Sequence, residues 1–178
     1  ADATIVLEPE GRNTTAAAAT AALIEERRDA SGLILLLAAD HVVQDPAALT
    51  GAIRASLPAT ESGRFVLFGV RPTEPSTGYG YIQRDSAETE VPGVFPVRRF
   101  VEKPDLETAR AYVDSGEYLW NSAIFLLPVA SFLKELRRLA PDVLAAADAP
   151  PANARHDLAF IRLDEAAFAH SPAIARDY

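Results

Sequence analysis

The sequence predicts an α/β fold, a mostly parallel sheet covered by helices, and three observations carry that reading. The run "LILLLAA" (Leu33 to Ala39) is apolar throughout and lacks the alternation of a half-solvated strand, so it reads as a strand buried on both faces. "RFVLFGV" (Arg64 to Val70) is a second segment of the same buried kind. Around them, strand-like and helix-like segments alternate along the chain, the order that produces parallel pairing through helical crossovers.

The elements follow in order. "TIVLEP" (Thr4 to Pro9) reads as a strand, and "NTTAAAATAALIEERRDA" as an alanine-rich helix capped by Asn13 or Thr14. After the Leu33 strand, Asp45 caps a helix with Pro46 at its first position, and Pro58 marks its end. The Arg64 strand gives way to a Pro- and Gly-rich loop, "RPTEPSTGYGYI", which runs into another strand. "VFPVRRFVEKP" is a strand that Pro104 terminates. "DLETARAYVDSG" is a helix capped by Asp105 and closed by Gly116, "SAIFLLP" a strand, and "VASFLKELRRLAP" an amphipathic helix. "AAADAPP" (Ala145 to Pro151) reads as a surface turn, and a helical stretch leads from it into "PAIARDY".

Length and composition set limits. A chain of 178 residues that is 49% hydrophobic fills one core, and residues 1–178 are read as a single domain. With 17 basic against 25 acidic residues and a net charge of −8, no basic face for nucleic acid is expected. The absence of cysteine excludes disulfides and thiolate-ligated zinc. Apolar runs this short do not span a bilayer, and no signal-peptide pattern opens the chain, so a cytoplasmic location is expected. The chain opens at Ala1, already close to a strand, and reads as a piece of a longer protein.

Several short stretches combine residue types that carry chemistry. Asp40 follows the Leu33 run, and ligands of open α/β sheets gather beyond the carboxyl ends of strands; a solvated carboxylate is the plain alternative. "EPEGRNT" (Glu8 to Thr14) lies at a helix start, where free N–H groups cap the helix or receive an anion. "TGYGYI" (Thr77 to Ile82) places glycines around a tyrosine, which allows close backbone approach to a ligand or forms an ordinary turn. In "FVEKP" (Phe100 to Pro104), Glu102 and Lys103 are neighbours whose side chains share a pocket only if the backbone turns there. Otherwise they are a solvated pair. "YLWNSA" (Tyr118 to Ala123) sets the single tryptophan, Trp120, beside Asn121; the ring reads as core, and the amide as a partner for a turn or a hydroxyl.

Taken jointly, EPxGRNT, LLxADH, TGYGYI, FVEKP, YLWNS and the terminal DY resemble the mannose-1-phosphate guanylyltransferases, from Ile5 to Tyr178. The resemblance implies a Rossmann-like nucleotide-diphospho-sugar transferase fold, present in part, with helices on both sides of a mostly parallel sheet. It implies a reaction that joins GTP and mannose 1-phosphate into GDP-mannose and diphosphate. By the same resemblance Asp40 and Asp177 hold magnesium, Arg12, Asn13 and Thr14 lie near the nucleobase, Gly80 and Asn121 near the sugar, Glu102 on its hydroxyls and Lys103 on its phosphate. Asp40, Lys103 and Asp177 are then the catalytic candidates, and an assembly of identical copies is left open.

The sequence departs from the family at "NTTAAAA" for an NTAPA-like run, "WNSA" for WNSG, and "AIARDY" for a SIDY-like end. It also holds neither the glycine-rich GGxGTRLWPLSR loop that wraps the triphosphate nor the region beyond DY. This chain alone is therefore expected not to turn over, because phosphoryl-type transfer depends on positioning and charge neutralisation. A dehydrogenase or a phosphate-loop NTPase would need GxGxxG or GxxxxGK[ST], and neither occurs. Another hexose-1-phosphate nucleotidyltransferase and a non-catalytic regulatory or assembly module are the alternatives.

Overall fold

The longest strand, β6 (Tyr118–Pro128), is the pivot of the molecule's main sheet. The computed structural model describes residues 5–7, 13–148 and 160–162. They fall into two units: Leu33–Pro128, and the segments on either side of it. The α/β class agrees with the sequence, and the strand sense does not.

In the Leu33–Pro128 unit, β2 (Leu33–Leu36), β3 (Val66–Val70), β4 (Gly80–Arg84) and β5 (Val97–Glu102) join β6 in a five-stranded sheet. Every pairing in it is antiparallel. Leu126 pairs with both Leu35 and Val66, so β2 and β3 lie on opposite edges of β6. Trp120 pairs with both Val70 and Tyr81, so β4 shares the β2 edge, further toward the start of β6. The β2–α2–β3 alternation does give two strands of one direction, as a helical crossover requires, but β6 is inserted between them and runs the other way. Periodicity alone cannot reveal such an insertion.

That arrangement also shortens β2. Its ladder stops at Leu36 opposite Phe125, because β6 becomes irregular at Ser122 and Ala123 and the edge beyond belongs to β4. Only Ile34 of the run is buried, and Leu37 is 53% exposed, so the expectation of a strand buried on both faces through Ala39 is corrected.

Local rules hold at most helix ends. Helix α2 (Pro46–Glu61) begins where Asp45 accepts from the Ala48 N–H at 2.9 Å, with proline in its first turn. It does not stop at Pro58. Buried Ala59 packs with Val66 and Leu126, and this carries the helix a further turn despite the missing N–H. Helix α3 (Leu106–Ser115) is capped by Asp105, which accepts from the Thr108 N–H at 2.8 Å, and is closed by Gly116 at φ 68°, as read. It covers the other core of this unit, Tyr81, Ala109 and Tyr118.

In the second unit, α1 (Asn13–Arg28), α4 (Val129–Leu139) and α5 (Pro141–Asp148) pack together. Small Ala16, Ala19 and Ala22 let α1 approach closely, and Val129, Leu133 and Val143 fill the contact. Arg27 pairs with Asp148 at 3.0 Å, and Arg137 with Glu26 at 3.3 Å, both at the surface. Ala145 to Asp148, read as a turn, are helical because Val143 and Leu144 anchor the segment. The rest of that stretch lies outside the described residues apart from β7 (Phe160–Arg162). That strand pairs parallel with β1 (Ile5–Leu7), so this part of the region read as helical is a strand.

Candidate functional site

Three of the sequence-derived residues meet where β4 begins. Gly80 stands directly opposite Glu102 in the β4–β5 ladder. A Cβ on Gly80 would come within 2.6 Å of Glu102 Oε2 and 3.6 Å of Asn121 Cβ. The bare glycine is therefore the seat of the Glu102 carboxylate, with Asn121 at its border.

Lys103 joins them through a backbone turn. In a regular strand its side chain would leave by the face opposite to that of Glu102. Instead it adopts φ 43°, a left-handed conformation uncommon outside glycine, and its N–H donates to Tyr79 O at 3.3 Å. The ammonium then lies 3.4 Å from Glu102 Oε1. Both side chains are well exposed, so the pair contributes little to stability. Its importance is that one corner carries both charges. Buried Pro104 and the helix cap at Asp105 follow at once and fix the turn from strand to helix. The Thr108 N–H holds the Asp105 carboxyl below its ordinary range.

Asn121 is set by an irregularity in β6. The register slips between Phe68–Ile124 and Gly69–Asn121, and Ser122 and Ala123 bulge out of the ladder with β3. Ser122 Oγ donates to Phe68 O and accepts from the Ile124 N–H at 3.2 Å. Asn121 Oδ1 accepts from the Ala123 N–H at 3.0 Å, so its NH₂ group retains its donors for other partners. Ala123 adopts φ 56°, which explains why the family pattern carries glycine at this point.

Aromatic residues support the corner. Tyr81 is fully buried, and its hydroxyl accepts from the Ser76 N–H at 3.0 Å and donates to Ser76 O at 2.9 Å. Tyr112 stacks on Tyr118 with ring centroids 3.8 Å apart, and the Arg99 guanidinium donates to the Tyr118 hydroxyl. Burial pushes the Tyr112 phenol up, while the Tyr118 hydroxyl raises Arg99. Trp120 packs against this core, as read. Tyr79, which the sequence reading did not single out, is 53% exposed and meets Trp120 edge-on at 5.1 Å. Its position between the two glycines of TGYGYI was the available signal.

The remaining candidates are placed differently. Asp40 lies on an exposed turn four positions beyond the end of β2, where the His41 N–H donates to Ala38 O at 3.5 Å. Among the described residues no group of three metal-ligating side chains forms; Asp40 offers a single exposed carboxylate, and magnesium is commonly held by one or two carboxylates together with waters and substrate phosphates. Asn13 opens α1 and Thr14 is exposed on its first turn. Arg12, Asp177 and the side chain of Asn13 lie outside the described residues. No helix among the described residues is long and apolar enough to cross a membrane.

Known proteins resemble this chain in sequence and in fold. The chain is 48% identical over 178 residues to a mannose-1-phosphate guanylyltransferase of Escherichia coli K12, an alignment that spans 98% of this chain and 37% of that protein. It is 45% identical over 176 residues to the xanthan biosynthesis protein XanB of Xanthomonas campestris pv. campestris strain B100, covering 99% of this chain and 37% of XanB. A solved structure from Thermus thermophilus, named a mannose-1-phosphate geranyltransferase, superposes with a TM-score of 0.80 at 34% identity, covering 97% of this chain and 48% of the other. The chain thus spans a little over a third of the curated relatives it matches. Residues 1–166 match the nucleotidyl transferase family, and the chain belongs to it.

Proposed function

We propose that the protein containing this chain joins GTP and mannose 1-phosphate into GDP-mannose and diphosphate, and that this chain supplies the sugar-phosphate side of the site. The observation that carries the proposal is the convergence of Gly80, Glu102 and Asn121, with the Lys103 ammonium 3.4 Å from the Glu102 carboxylate. An ionised carboxylate accepts hydrogen bonds from sugar hydroxyls, an amide NH₂ donates to them, and an ammonium neutralises a phosphate. The relatives' names specify mannose 1-phosphate, which supports this assignment of sugar and phosphate.

In the reaction an oxygen of the sugar phosphate attacks the α-phosphorus of GTP in line, a new P–O bond forms, and the α–β bridging bond breaks to release diphosphate. Lys103 offsets the mutual repulsion of the two phosphates, and Glu102 with Asn121 holds the sugar so that its phosphate points at the reacting atom. Arg12, Asn13 and Thr14 are proposed to lie at the nucleobase. Asp40 and Asp177 are proposed as the carboxylates for magnesium, which supplies further neutralisation of phosphate oxygens when bound.

The test is kinetic and uses the full-length protein. Lys103→Ala is expected to raise KM for mannose 1-phosphate by about 10- to 150-fold, from the loss of a charge-assisted hydrogen bond worth roughly 1.5–3 kcal/mol. Glu102→Gln is expected to change the ranking among hexose 1-phosphates. Unchanged kinetics in both variants would return the pair to a solvated surface role, and a preference for ATP, UTP or dTTP over GTP would reassign the base.

A further inference from the structure

A concavity apart from the Gly80 corner lies in the Leu33–Pro128 unit, between α2, β3 and the stretch that joins β4 to β5. Its volume is about 560 Å³, inside the span of roughly 300–1,000 Å³ typical of small-molecule sites. Ala59, Val66 and Val94 belong to the apolar cluster at its floor. The charged side chains that line it are all arginines: Arg64, Arg71 and Arg84. Among the described residues no aspartate or glutamate lines it, although the chain carries 25 acidic residues and a net charge of −8.

The arginines are available. None of the three is in an ion pair among the described residues. Arg84 is held over the Phe95 ring, its Cζ 4.4 Å from the centroid, so one guanidinium is oriented before any ligand arrives. Arg71 stands just past the end of β3 and Arg64 just before its start, so the two flank the strand that forms one wall. Gly80, Glu102, Lys103 and Asn121 do not line this cleft.

We propose that the cleft binds a small organic anion, an aromatic body against the apolar floor with an oxyanion, phosphate-like, at Arg71 and Arg84. Arginines that line one cleft, with no carboxylate among its described lining residues, favour an oxyanion in a net acidic protein, because their forked donors match its geometry. A bare ion would leave the apolar floor wet, and a neutral aromatic would leave the arginines without an acceptor. An acidic protein segment is the competing occupant, and the size of the concavity favours the small molecule.

Calorimetric titration of the full chain with 1-naphthyl phosphate, 1-naphthol and inorganic phosphate tests the proposal. The naphthyl phosphate should bind at least about tenfold more tightly than either other probe, the discrimination that one charge-assisted hydrogen bond supplies. Arg71→Gln and Arg84→Gln should each weaken it by about tenfold, and Lys103→Ala should leave it unchanged. Thermal melts accompany each variant, and Arg71→Gln, at an exposed position, decides the matter if Arg84→Gln does not fold. Absence of heat with naphthyl phosphate, equal affinity for naphthol, or indifference to both arginine variants overturns the proposal. So does an equal loss in Lys103→Ala, which would put the phosphate at the Glu102 corner.

Discussion

The Gly80 corner and the Asp40 turn belong to the same sheet and are built by opposite means. At the corner, strands β4, β5 and β6 each deliver a residue through ladder register, and two left-handed residues, Lys103 and Ala123, re-aim the chain. At the turn, a four-residue strand ends early and Asp40 stands exposed beyond it. A corner fixed by cross-strand register forms within its own sheet, whereas a carboxylate beyond a strand end depends on whatever chain comes to meet it.

Stability measurements offer the sharpest way to break this contrast. Tyr81→Ala should cost about 3–5 kcal/mol, since it empties a fully buried aromatic site and orphans both bonds to Ser76. Asp40→Ala should stay within about 0.5 kcal/mol, as exposed substitutions do. Comparable losses in denaturant melts would remove the distinction.

A finer probe is Gly80→Ala. The added methyl displaces the Glu102 carboxylate but meets only its flexible end, so the fold should survive while affinity for mannose 1-phosphate falls by about 10- to 100-fold. Calorimetry on the full-length protein reads this directly, and unaltered affinity would separate Glu102 from the sugar.

Smaller still is Ala123→Gly. Relief of the left-handed cost, about 1–2 kcal/mol, matches or exceeds the added backbone entropy of about 0.5–1 kcal/mol. A net gain between zero and about 1.5 kcal/mol in chemical denaturation is expected from this balance; a loss would mean that the side chain contributes packing here.

The least effect belongs to pH at the α3 cap. The Asp105 carboxyl is held below its ordinary value of 3.8 by the Thr108 N–H, so its contribution is present above that value and is lost as pH falls through the lower, folded one. Asp105→Asn keeps the acceptor without the charge. Its melting temperature should therefore fall less steeply than that of the parent in acid below about pH 4, and parallel profiles would contradict the assignment.

What the sequence revealed divides along the same line. Asp45 with Pro46, and Asp105 with Gly116, were legible because a cap is decided within a few residues. The corner was legible as a list, since GYGYI, FVEKP and WNS each carry a polar group beside a backbone irregularity. The geometry that joins them was not, because register between β4, β5 and β6 is set by contacts far apart in sequence. The antiparallel β6 between β2 and β3, the continuation of α2 past Pro58 and the early end of β2 share that cause: tertiary pairing overrode a local signal. The only hint of the left-handed turn at position 123 was the family's glycine.

The clasp between Tyr81 and Ser76 has a consequence for motion. One phenol binds both the N–H and the carbonyl of the same loop residue from within a fully buried position. The segment from Arg71 to Tyr79 therefore cannot swing out as a hinged flap without leaving a buried hydroxyl unpaired. Its excursions carry the cost of those two bonds, and so are rarer than the breathing usual for a loop rich in proline and glycine. A ligand at the Gly80 corner would meet a wall already in place, and so would lose little affinity to the ordering of that loop.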